Sequence, residues 1–376
     1  MTATDGPETA AAGGPRILIA GGGSAGHVQP ALAVADAIMA AEPTATVICL
    51  GTERGLETTL VPDRGYRLEL IPEVKFTRQA NLDVLRIPGR LRRTVKAARA
   101  VIKSENIDVV VGFGGYVALP AYLAARRRVP VVVHEANARA GIANKIGARF
   151  ATVVAAAVPD TGLAGARVVG NPVRRSLREL DRPALRAQAR EYFGLDPDAP
   201  TLVVVGGSLG AVKFNQIFAS VADRLAAAGV GVLHVHGKGK PVDLPPAPPG
   251  RPPYVAVPYV DRMDLAYAAG DLMVARSGAM TVAEIGAVRV PVVYVPLAFG
   301  NGEQRLNALP QVQSGAARLI DEEALTGEAV LDTIVPLVKD PQALTAMSEA
   351  AAGSETAHAD EVLARIALAA ARRRRG

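Results

Sequence analysis

Two glycine-rich segments of this sequence have the spacing of phosphate-binding turns. Gly21, Gly23 and Gly26 fit the pattern G-x-G-x-x-G within ILIAGGGSAGHVQP (17–30), and a second turn covers 206–210. Glycine lets the backbone approach a ligand closely, and the N–H groups at the start of the next helix bind phosphate or diphosphate. A third such helix is predicted to start at 277–279. The alternative for each turn is a tight strand–helix connection that binds nothing.

The first turn lacks the acidic residue that a nicotinamide dinucleotide site needs at the tip of the second strand. That strand ends at Leu50 and Gly51, and the nearest acid, Glu53, lies beyond its tip. His27 follows the glycines directly, and a histidine can remove a proton near neutral pH. His27 is therefore the candidate general base, with a structural histidine at the turn as the alternative.

The length and composition of the chain indicate a folded protein with two domains. Its 376 residues exceed one ordinary core, and 49% are hydrophobic while 21% are charged. The net charge of +6 fits an anionic partner but does not choose between nucleotide, nucleic acid and anionic lipid. The single cysteine, Cys49 in the apolar run TVICL, excludes an internal disulfide and is predicted to be a buried strand residue in a protein of a reducing compartment.

Short β-branched runs alternate with helical patterns, which predicts an α/β fold with parallel sheets. Strands are predicted at 16–20, 46–50, 108–112 and 129–134, with a helix at 30–41. The pattern restarts at 201–229 and continues with strands at 230–237, 253–260, 271–278 and 290–296. The chain therefore contains two Rossmann-like, doubly wound halves that face a cleft. The predicted divisions are a flexible leader 1–15, a first domain 16–170, a second domain 171–345 and a final segment 346–376 with a solvated basic tail.

Seven motifs occur in an order that resembles the MurG family of bacterial cell-wall glycosyltransferases. They cover about residues 16–320 and read GGGSAGHVQPALA, GFGGYVALPAYLAA, HEANARAGIANK, VVGNPVR, GGSLGAVKFN, ARSGAMTVAEIGAVRVPVVYVP and GNGEQRLNA. The resemblance implies a GT-B fold, with an acceptor domain that faces the membrane, a UDP-sugar domain, and a last helix that returns to the first domain. It also implies inverting transfer of N-acetylglucosamine from UDP-N-acetylglucosamine to undecaprenyl-pyrophosphoryl-N-acetylmuramoyl-pentapeptide (lipid I), which forms the β-1,4 bond of lipid II in peptidoglycan synthesis.

The resemblance implies that the donor is bound without a metal ion or any other cofactor. A D-x-D motif at a strand end is usual in metal-dependent glycosyltransferases. The only match here, Asp196-Pro197-Asp198, precedes the strand that starts at 201 and is predicted to be a turn. The histidines do not cluster at metal-ligand spacing either.

The resemblance assigns substrate contacts in the first half to two segments. Ser24, Ala25 and Gly26 match the turn that faces the donor sugar and the acceptor, although the family often has Thr-Gly-Gly there. Asn137 matches a contact to the transferred sugar. His134 and Glu135 precede it at a strand end, where they are expected to line the acceptor side, with Glu135 as the alternative base.

In the second half, the resemblance assigns residues to each part of the sugar nucleotide. Arg174 contacts the nucleotide, Ser208 the diphosphate, and the backbone of Val260 the uracil; Leu209 stands where the family commonly has glutamine. Gln304 is expected to bind the sugar, with Glu303 as the alternative, while Asn215 either touches the sugar or braces its loop. The second nucleotide loop comprises Ala279, Met280, Thr281, Val282, Ala283 and Glu284, in which Glu284 accepts hydrogen bonds from the ribose hydroxyls.

A basic segment at 84–107 is the candidate contact with an anionic membrane surface. The side chains of Leu91, Val95, Ala98 and Ile102 share one helical face, which is predicted to pack on the sheet. The membrane contact is expected from Phe76, Leu82 and the basic rim of Arg92, Arg93, Lys96, Arg99 and Lys103. Without a signal peptide or an apolar run long enough to span a bilayer, the protein is predicted to attach peripherally to the cytoplasmic face of the plasma membrane.

The predicted partners are the donor, lipid I, the membrane surface and other proteins of the cell-wall and division machinery, with no nucleic acid. Three alternative functions remain open at this point. One is a GT-B transferase that acts on a different lipid, and another is a UDP-N-acetylglucosamine 2-epimerase. The third is a sugar-nucleotide-binding protein without catalytic activity.

Overall fold

The computed structural model describes residues 13–74, 87–207, 210–244, 249–298, 301–352 and 358–375. Its strands are β1 Arg16–Gly21, β2 Thr46–Gly51, β3 Arg67–Leu70, β4 Val109–Gly114, β5 Val131–Glu135, β6 Val153–Ala156, β7 Arg167–Val168, β8 Thr201–Val205, β9 Gly231–Val235, β10 Tyr254–Val257, β11 Leu272–Ala275, β12 Val292–Tyr294 and β13 Ala317–Leu319.

The helices follow the strands in regular alternation through most of the chain. They are α1 Ala25–Ala41, α2 Glu57–Asp63, α3 Ile87–Ser104, α4 Gly115–Ala125, α5 Ile142–Ala148, α6 Arg175–Arg178, α7 Arg182–Phe193, α8 Val212–Ser220, α9 Ala222–Ala227, α10 Met263–Ala269, α11 Ala279–Val288, α12 Glu303–Gln313, α13 Gly327–Ala329, α14 Val335–Val338, α15 Pro341–Ala351 and α16 Ala359–Arg375, with a π-helical turn at Val330–Ile334 before α14.

The strands form two parallel sheets. The first sheet has the order β3-β2-β1-β4-β5-β6-β7, and the second has the order β10-β9-β8-β11-β12-β13. Chain direction away from the centre reverses between β1 and β4 in the first sheet and between β8 and β11 in the second. Ligands of such sheets bind at these switch points, beyond the carboxyl ends of the strands. The predicted α/β class with two doubly wound parallel sheets is confirmed.

The strands are apolar on both faces because helices cover both sides of each sheet. All six residues of β4 are buried, as are all five of β5. Cys49 lies in β2 with 4% of its surface exposed and a free thiol, which confirms the prediction for this residue. The predicted strands therefore coincide with the observed ones to within a few residues.

Helix α1 begins at Ala25, five residues before the predicted start at Pro30. Proline lacks an N–H, so Pro30 removes the single bond to the carbonyl of Gly26 but does not end the helix. Ser24 stands at the N-terminal end in an extended conformation, and its carbonyl accepts from the N–H groups of His27 (3.0 Å) and Val28 (3.1 Å). The early start places His27 in the first helical turn, so its backbone position is fixed.

Helix α3 buries one face against the first sheet, as predicted for its apolar stripe. Val95, Ala98 and Ile102 belong to the core on that side of the sheet. The basic residues of the rim are exposed, whereas Phe76 and Leu82 lie outside the described residues. Within the described ranges, every helix is too short or too polar to traverse a bilayer.

The last helix, α16, packs beside α1 rather than on the second sheet. Leu363 and Ala367 share a buried cluster with Leu32 and Ile38 of α1. The basic tail is exposed, as predicted, and three of its arginines also contact the first half of the chain. Arg372 pairs with Glu42 at 3.0 Å, Arg374 donates to the carbonyl of Ile107, and Arg375 lies 3.9 Å from the carboxylate of Asp108.

Candidate active site

The imidazole of His27 lies at the switch point of the first sheet, against the start of α4. A Cβ atom added to Gly115 would lie 2.9 Å from Cδ2 of His27, and one added to Gly114 would lie 3.4 Å from its Cε1. Both glycines also have positive φ angles, 91° for Gly114 and 76° for Gly115, which other residues rarely adopt. The two glycines after β4 therefore provide the space for the His27 ring.

Burial lowers the pKa of His27 below its ordinary value of 6.5. The negative charges of Glu135 and Glu303 and the carbonyl of Phe113 oppose this shift. The imidazole is consequently neutral at pH 7, which is the form that can accept a proton. Glu303 belongs to α12 of the second half, so His27 is placed where the two halves of the chain meet.

Glu135 holds the loop that follows β5. Its carboxylate is 3% exposed and accepts from the N–H groups of Asn137 (2.9 Å) and Gly141 (3.0 Å) and from Nδ2 of Asn144 (2.9 Å). His134 is fully buried and its Nε2 contacts the carbonyl of Gly170 at 2.9 Å, so it does not line the acceptor side as expected. These contacts favour a positioning role for Glu135, through Asn137, over the alternative that it acts as the base.

Asn307 in α12 joins the two halves of the chain behind Asn137. Its Oδ1 accepts from the N–H of Ala138 at 2.8 Å, and its Nδ2 donates to the carbonyl of Ser277 at 3.2 Å. Nδ2 also lies 3.5 Å from Oδ1 of Asn137. One buried amide therefore connects the loop after β5 to the segment that leads into α11.

A second amide makes a similar connection from the segment that links the two halves. Nδ2 of Asn171 donates to the carbonyl of Ala136 at 3.0 Å and lies 3.4 Å from the carbonyl of Ala279. Asn171 belongs to the motif NPVR, three residues before Arg174. Both connections involve the loop after β5 and the start of α11, so they fix the distance between the predicted sugar and phosphate contacts.

Helix α11 starts at the switch point of the second sheet with its N-terminus uncapped by any side chain. Gly278 precedes it with φ −61° and ψ 147°, and the first N–H groups of such a helix are donors for phosphate. Ala279, Thr281 and Ala283 are half-buried, whereas Met280 and Val282 are 8% and 9% exposed and belong to the core. Met280 and Val282 can therefore contribute through their backbone only.

Arg174 and Glu284 meet at the side of α11, although 110 positions separate them in the sequence. Nη2 of Arg174 lies 4.0 Å from Oε1 of Glu284, and the hydroxyl of Tyr267 donates to Oε2 at 2.8 Å. Burial raises the pKa of Glu284 above 4.5, while Arg174 and Tyr267 oppose the shift. A carboxylate held in this way, beside the phosphate end of α11, can accept from a pair of adjacent hydroxyls.

The remaining predicted contacts within the described residues lie in α12, in the segment before α10 and in α8. Oε1 of Gln304 accepts from the N–H of Leu297 at 2.9 Å, which leaves its amide N–H₂ to donate to a ligand. Val260 is 7% exposed, so its side chain belongs to the core. Nδ2 of Asn215 donates to the carbonyls of His236 and Lys240 at 3.1 Å each, which shows that it braces its loop. Ser208 and Leu209 lie outside the described residues.

The D-x-D match forms a bend, as predicted. Oδ1 of Asp196 accepts from the N–H groups of Asp198 (2.8 Å) and Ala199 (2.9 Å), so this carboxylate stabilises the local backbone. In the part of the chain that the structure describes, no three histidine, cysteine, aspartate or glutamate side chains are grouped to hold a metal ion.

Two family models match the two halves of the chain. The N-terminal domain of glycosyltransferase family 28 matches residues 17–156, and the C-terminal domain of that family matches residues 201–363. A protein of Mycolicibacterium smegmatis is 57% identical over 365 residues, which is 96% of this chain and 95% of that protein. One of Saccharopolyspora erythraea is 56% identical over 359 residues, 96% of this chain and 95% of that protein. Both carry the name UDP-N-acetylglucosamine–N-acetylmuramyl-(pentapeptide) pyrophosphoryl-undecaprenol N-acetylglucosamine transferase.

The chain is also similar to a solved structure, MurG of Acinetobacter baumannii. The TM-score is 0.71 at 29% identity, and the match covers 94% of this chain and 99% of that one. The chain belongs to the MurG family of glycosyltransferases. A solved structure from Listeria monocytogenes carries the name putative UDP-N-acetylglucosamine 2-epimerase. Its TM-score is 0.62 at 16% identity, over 93% of this chain and 94% of that one, which shows a shared fold alone.

Asn307 and Asn171 are members of this MurG-family cleft that reasoning from the sequence missed. Both lie inside motifs that carried the resemblance, GNGEQRLNA and VVGNPVR, so their presence was visible but their partners were not. Asn307 contacts Ala138 across 169 positions, and no periodicity or spacing in a single sequence reports such a pair.

Proposed function

We propose that the protein transfers N-acetylglucosamine from UDP-N-acetylglucosamine to lipid I, with inversion, to form lipid II. The observation that carries this proposal is the 57% identity with a transferase of that name over 96% of the chain. The geometry supports it, because a neutral histidine from the first half lies beside the helix of the second half that bears Gln304. An acceptor and a donor sugar would meet at this junction.

The second half binds the donor in this proposal. The N-terminus of α11 receives the diphosphate, Glu284 accepts from the ribose hydroxyls, and the backbone at Val260 contacts the uracil. Arg174 supplies a positive charge beside the diphosphate and so stabilises the charge that develops on UDP as it leaves. Gln304 and Asn137 hold the sugar from opposite sides of the cleft.

The chemical step in this proposal is a single displacement at the anomeric carbon. The 4-hydroxyl oxygen of the N-acetylmuramoyl group forms the new bond to that carbon. The bond from the carbon to the diphosphate oxygen breaks, and its electron pair leaves with UDP. His27 accepts the proton of the attacking hydroxyl. Because no second displacement occurs, the anomeric configuration inverts.

The first experiment measures transfer of radiolabelled N-acetylglucosamine from its UDP donor to a lipid I analogue. The reaction contains a chelator, and release of UDP is followed in parallel. We expect labelled lipid and UDP in equal amounts. UDP release or epimerised sugar without labelled lipid would contradict the acceptor and favour the epimerase or a different lipid.

We also propose that the protein attaches to an anionic phospholipid surface through the groove between α3 and the end of α4. The groove has a volume of about 840 Å³ and an apolar floor that includes Leu91, Val95 and Leu123. Its rim is strongly basic, which complements phospholipid headgroups. The basic residues are Arg92, Arg93, Lys96, Arg99, Arg126, Arg127 and Arg128.

Co-sedimentation with vesicles of phosphatidylglycerol and phosphatidylcholine tests this attachment. We expect the double variant R92E/R93E to bind these vesicles less strongly than the wild type. The difference in binding between the two proteins should be larger at low salt, where charges are screened less. The matched control is R251E/R318E, which makes the same charge change at exposed arginines of the second half. Equal losses in both double variants would show that net charge, and not this groove, governs the attachment.

A further inference from the structure

The carboxylate of Glu57 occupies the first glycine turn. Glu57 is fully buried, although it stands at the start of α2, beyond the end of β2. Its Oε2 accepts from the N–H of Gly23 at 2.9 Å, and its Oε1 accepts from the N–H of Thr52 at 3.0 Å. The hydroxyl of Thr52 lies 3.3 Å from Oε1 as well. One buried carboxylate thus binds the loop after β1 to the loop after β2.

Three glycines make the space that this carboxylate fills. A Cβ atom added to Gly55 would lie 1.9 Å from Oε2 of Glu57, and one added to Gly22 would lie 2.9 Å from Oε1. One added to Gly51 would lie 2.4 Å from Cγ of Glu57. None of these three glycines has the positive φ that would require glycine for backbone reasons. The Glu57 side chain alone accounts for Gly55, whereas Gly22 also makes room for Cγ2 of Val117 (2.5 Å) and Gly51 for Cδ1 of Leu68 (2.9 Å).

The backbone N–H of Gly23, which donates to Glu57, is a group that would bind a phosphate in a nucleotide-binding turn. In a G-x-G-x-x-G turn, backbone N–H groups of the glycines face the anion of a bound nucleotide. Here Gly23 adopts φ 96° and presents its N–H to the carboxylate. The next residue, Ser24, stands at the N-terminal end of α1, and His27 follows in the first turn of that helix.

We infer that Glu57 is an internal anion that takes the phosphate position of the first glycine turn and positions His27 for the reaction. The inference rests on the proposed function, since it assigns the first half to the acceptor and leaves the nucleotide to the second half. The carboxylate fixes Gly23, and Gly23 fixes the start of α1. A bound nucleotide phosphate at Gly23 would have to displace a buried group that already satisfies the same donor.

The chemistry of the site requires a carboxylate rather than an amide. Both oxygens of Glu57 accept from N–H groups. In Glu57→Gln, the amide N–H₂ would face the N–H of Gly23 or that of Thr52, and two donors cannot bond to each other. In Glu57→Ala, the cavity and its donors remain but the anion is gone. A small anion such as formate can then enter and restore the missing charge.

The test compares the wild type with Glu57→Ala and Glu57→Gln in the transfer assay, with and without formate. We expect both variants to lose at least tenfold in kcat, while the KM for UDP-N-acetylglucosamine and the Kd for UDP stay within twofold. Formate should raise the kcat of Glu57→Ala at least fivefold and leave Glu57→Gln unchanged. The control is Glu69→Ala, which removes a carboxylate that pairs with Arg67 at the edge of the same sheet and should not respond to formate.

Thermal unfolding gives a second readout that does not need the reaction. Formate should raise the Tm of Glu57→Ala above any change in the wild type and in Glu69→Ala. The inference would be overturned if Glu57→Gln had the kcat of the wild type. It would also be overturned if formate changed neither the kcat nor the Tm of Glu57→Ala. If the wild type transfers nothing to lipid I, the proposed function fails, whereas the Tm response of Glu57→Ala still tests the internal anion.

Discussion

Glu135→Gln separates the two roles considered for Glu135. The substitution keeps the size of the side chain and removes its charge and one acceptor. Four N–H contacts converge on the carboxylate, two on each oxygen. The amide oxygen of glutamine can accept from the two N–H donors on one side. Its N–H₂ group then faces the two N–H donors on the other side and cannot accept from them. Two donors near a group that is 3% exposed therefore lose their acceptor.

The expected loss of stability follows from the number of donors left unpaired. An unsatisfied buried donor costs about 1–3 kcal/mol, so two of them reduce the free energy of unfolding by about 4 kcal/mol. For a domain of this size, each kcal/mol shifts Tm by about 2–4 °C, which predicts a fall of about 10 °C. The displaced Asn137 should also raise the KM for the sugar nucleotide.

The assay is thermal unfolding of the wild type and Glu135→Gln, with steady-state transfer kinetics on the same preparations. The matched control is Glu323→Gln, because Glu323 is exposed and its Tm should not move. A Glu135→Gln protein with the wild-type Tm and a kcat reduced by about 10² or more would refute the positioning role and identify Glu135 as the base.

Three further predictions concern the groups that line the cleft. His27→Ala should lower kcat by about 10²–10⁴ with unchanged affinity for UDP. Because the pKa of His27 is lowered, the wild-type activity should fall only below pH 6.5. Near-normal turnover in His27→Ala would exclude His27 as the base. Glu284→Gln should raise the KM for the donor roughly tenfold, through loss of charge-assisted bonds to the ribose. The raised pKa of Glu284 means that the folded state holds this proton more tightly, so the wild type loses stability as pH rises from about 4.5 through the raised pKa. In urea unfolding between pH 4 and 8, the free energy of unfolding of Glu284→Gln should lack this decrease. An identical pH dependence in the wild type and the variant would contradict this prediction. Asn307→Ala should reduce kcat/KM about tenfold by leaving the N–H of Ala138 unpaired, and Asn307→Asp, which keeps that acceptor, should be less affected; equal activities would refute the link.

The sheets could be predicted from the sequence because local composition determines them. Apolar β-branched runs separated by helical segments specify parallel strands covered on both faces, and the runs that contain Val110 and Val132 are in fact buried. The positions of the glycine turns followed from the same order. The predicted start of α1 at residue 30 is wrong, because the helix begins at Ala25 and Pro30 removes one hydrogen bond only.

The contacts that define the cleft could not be predicted in the same way. Glu57 reaches Gly23 across 34 positions, and only the parallel pairing of β1 with β2 brings the two loops together. Its place after β2 is the only signal in the sequence, and Glu53 is an acid closer to the end of that strand. His134 shows the opposite error, because the sequence places it on the acceptor side whereas its side chain is buried and contacts the carbonyl of Gly170. The Glu135 carboxylate is also buried and accepts from the N–H of Gly141.

The packing of α16 beside α1 has a consequence for the way the protein folds during synthesis. The cluster that contains Leu32 and Ile38 also requires Leu363 and Ala367, which the ribosome adds only after all strands of the second sheet. The first sheet can pair its strands early, but its α1 face stays apolar and uncovered until α16 (Ala359–Arg375) has emerged. Such a surface is prone to aggregation while it waits. The nascent first half therefore needs protection from aggregation. A chain cut before residue 359 should aggregate, because it lacks the helix that covers the apolar face of α1.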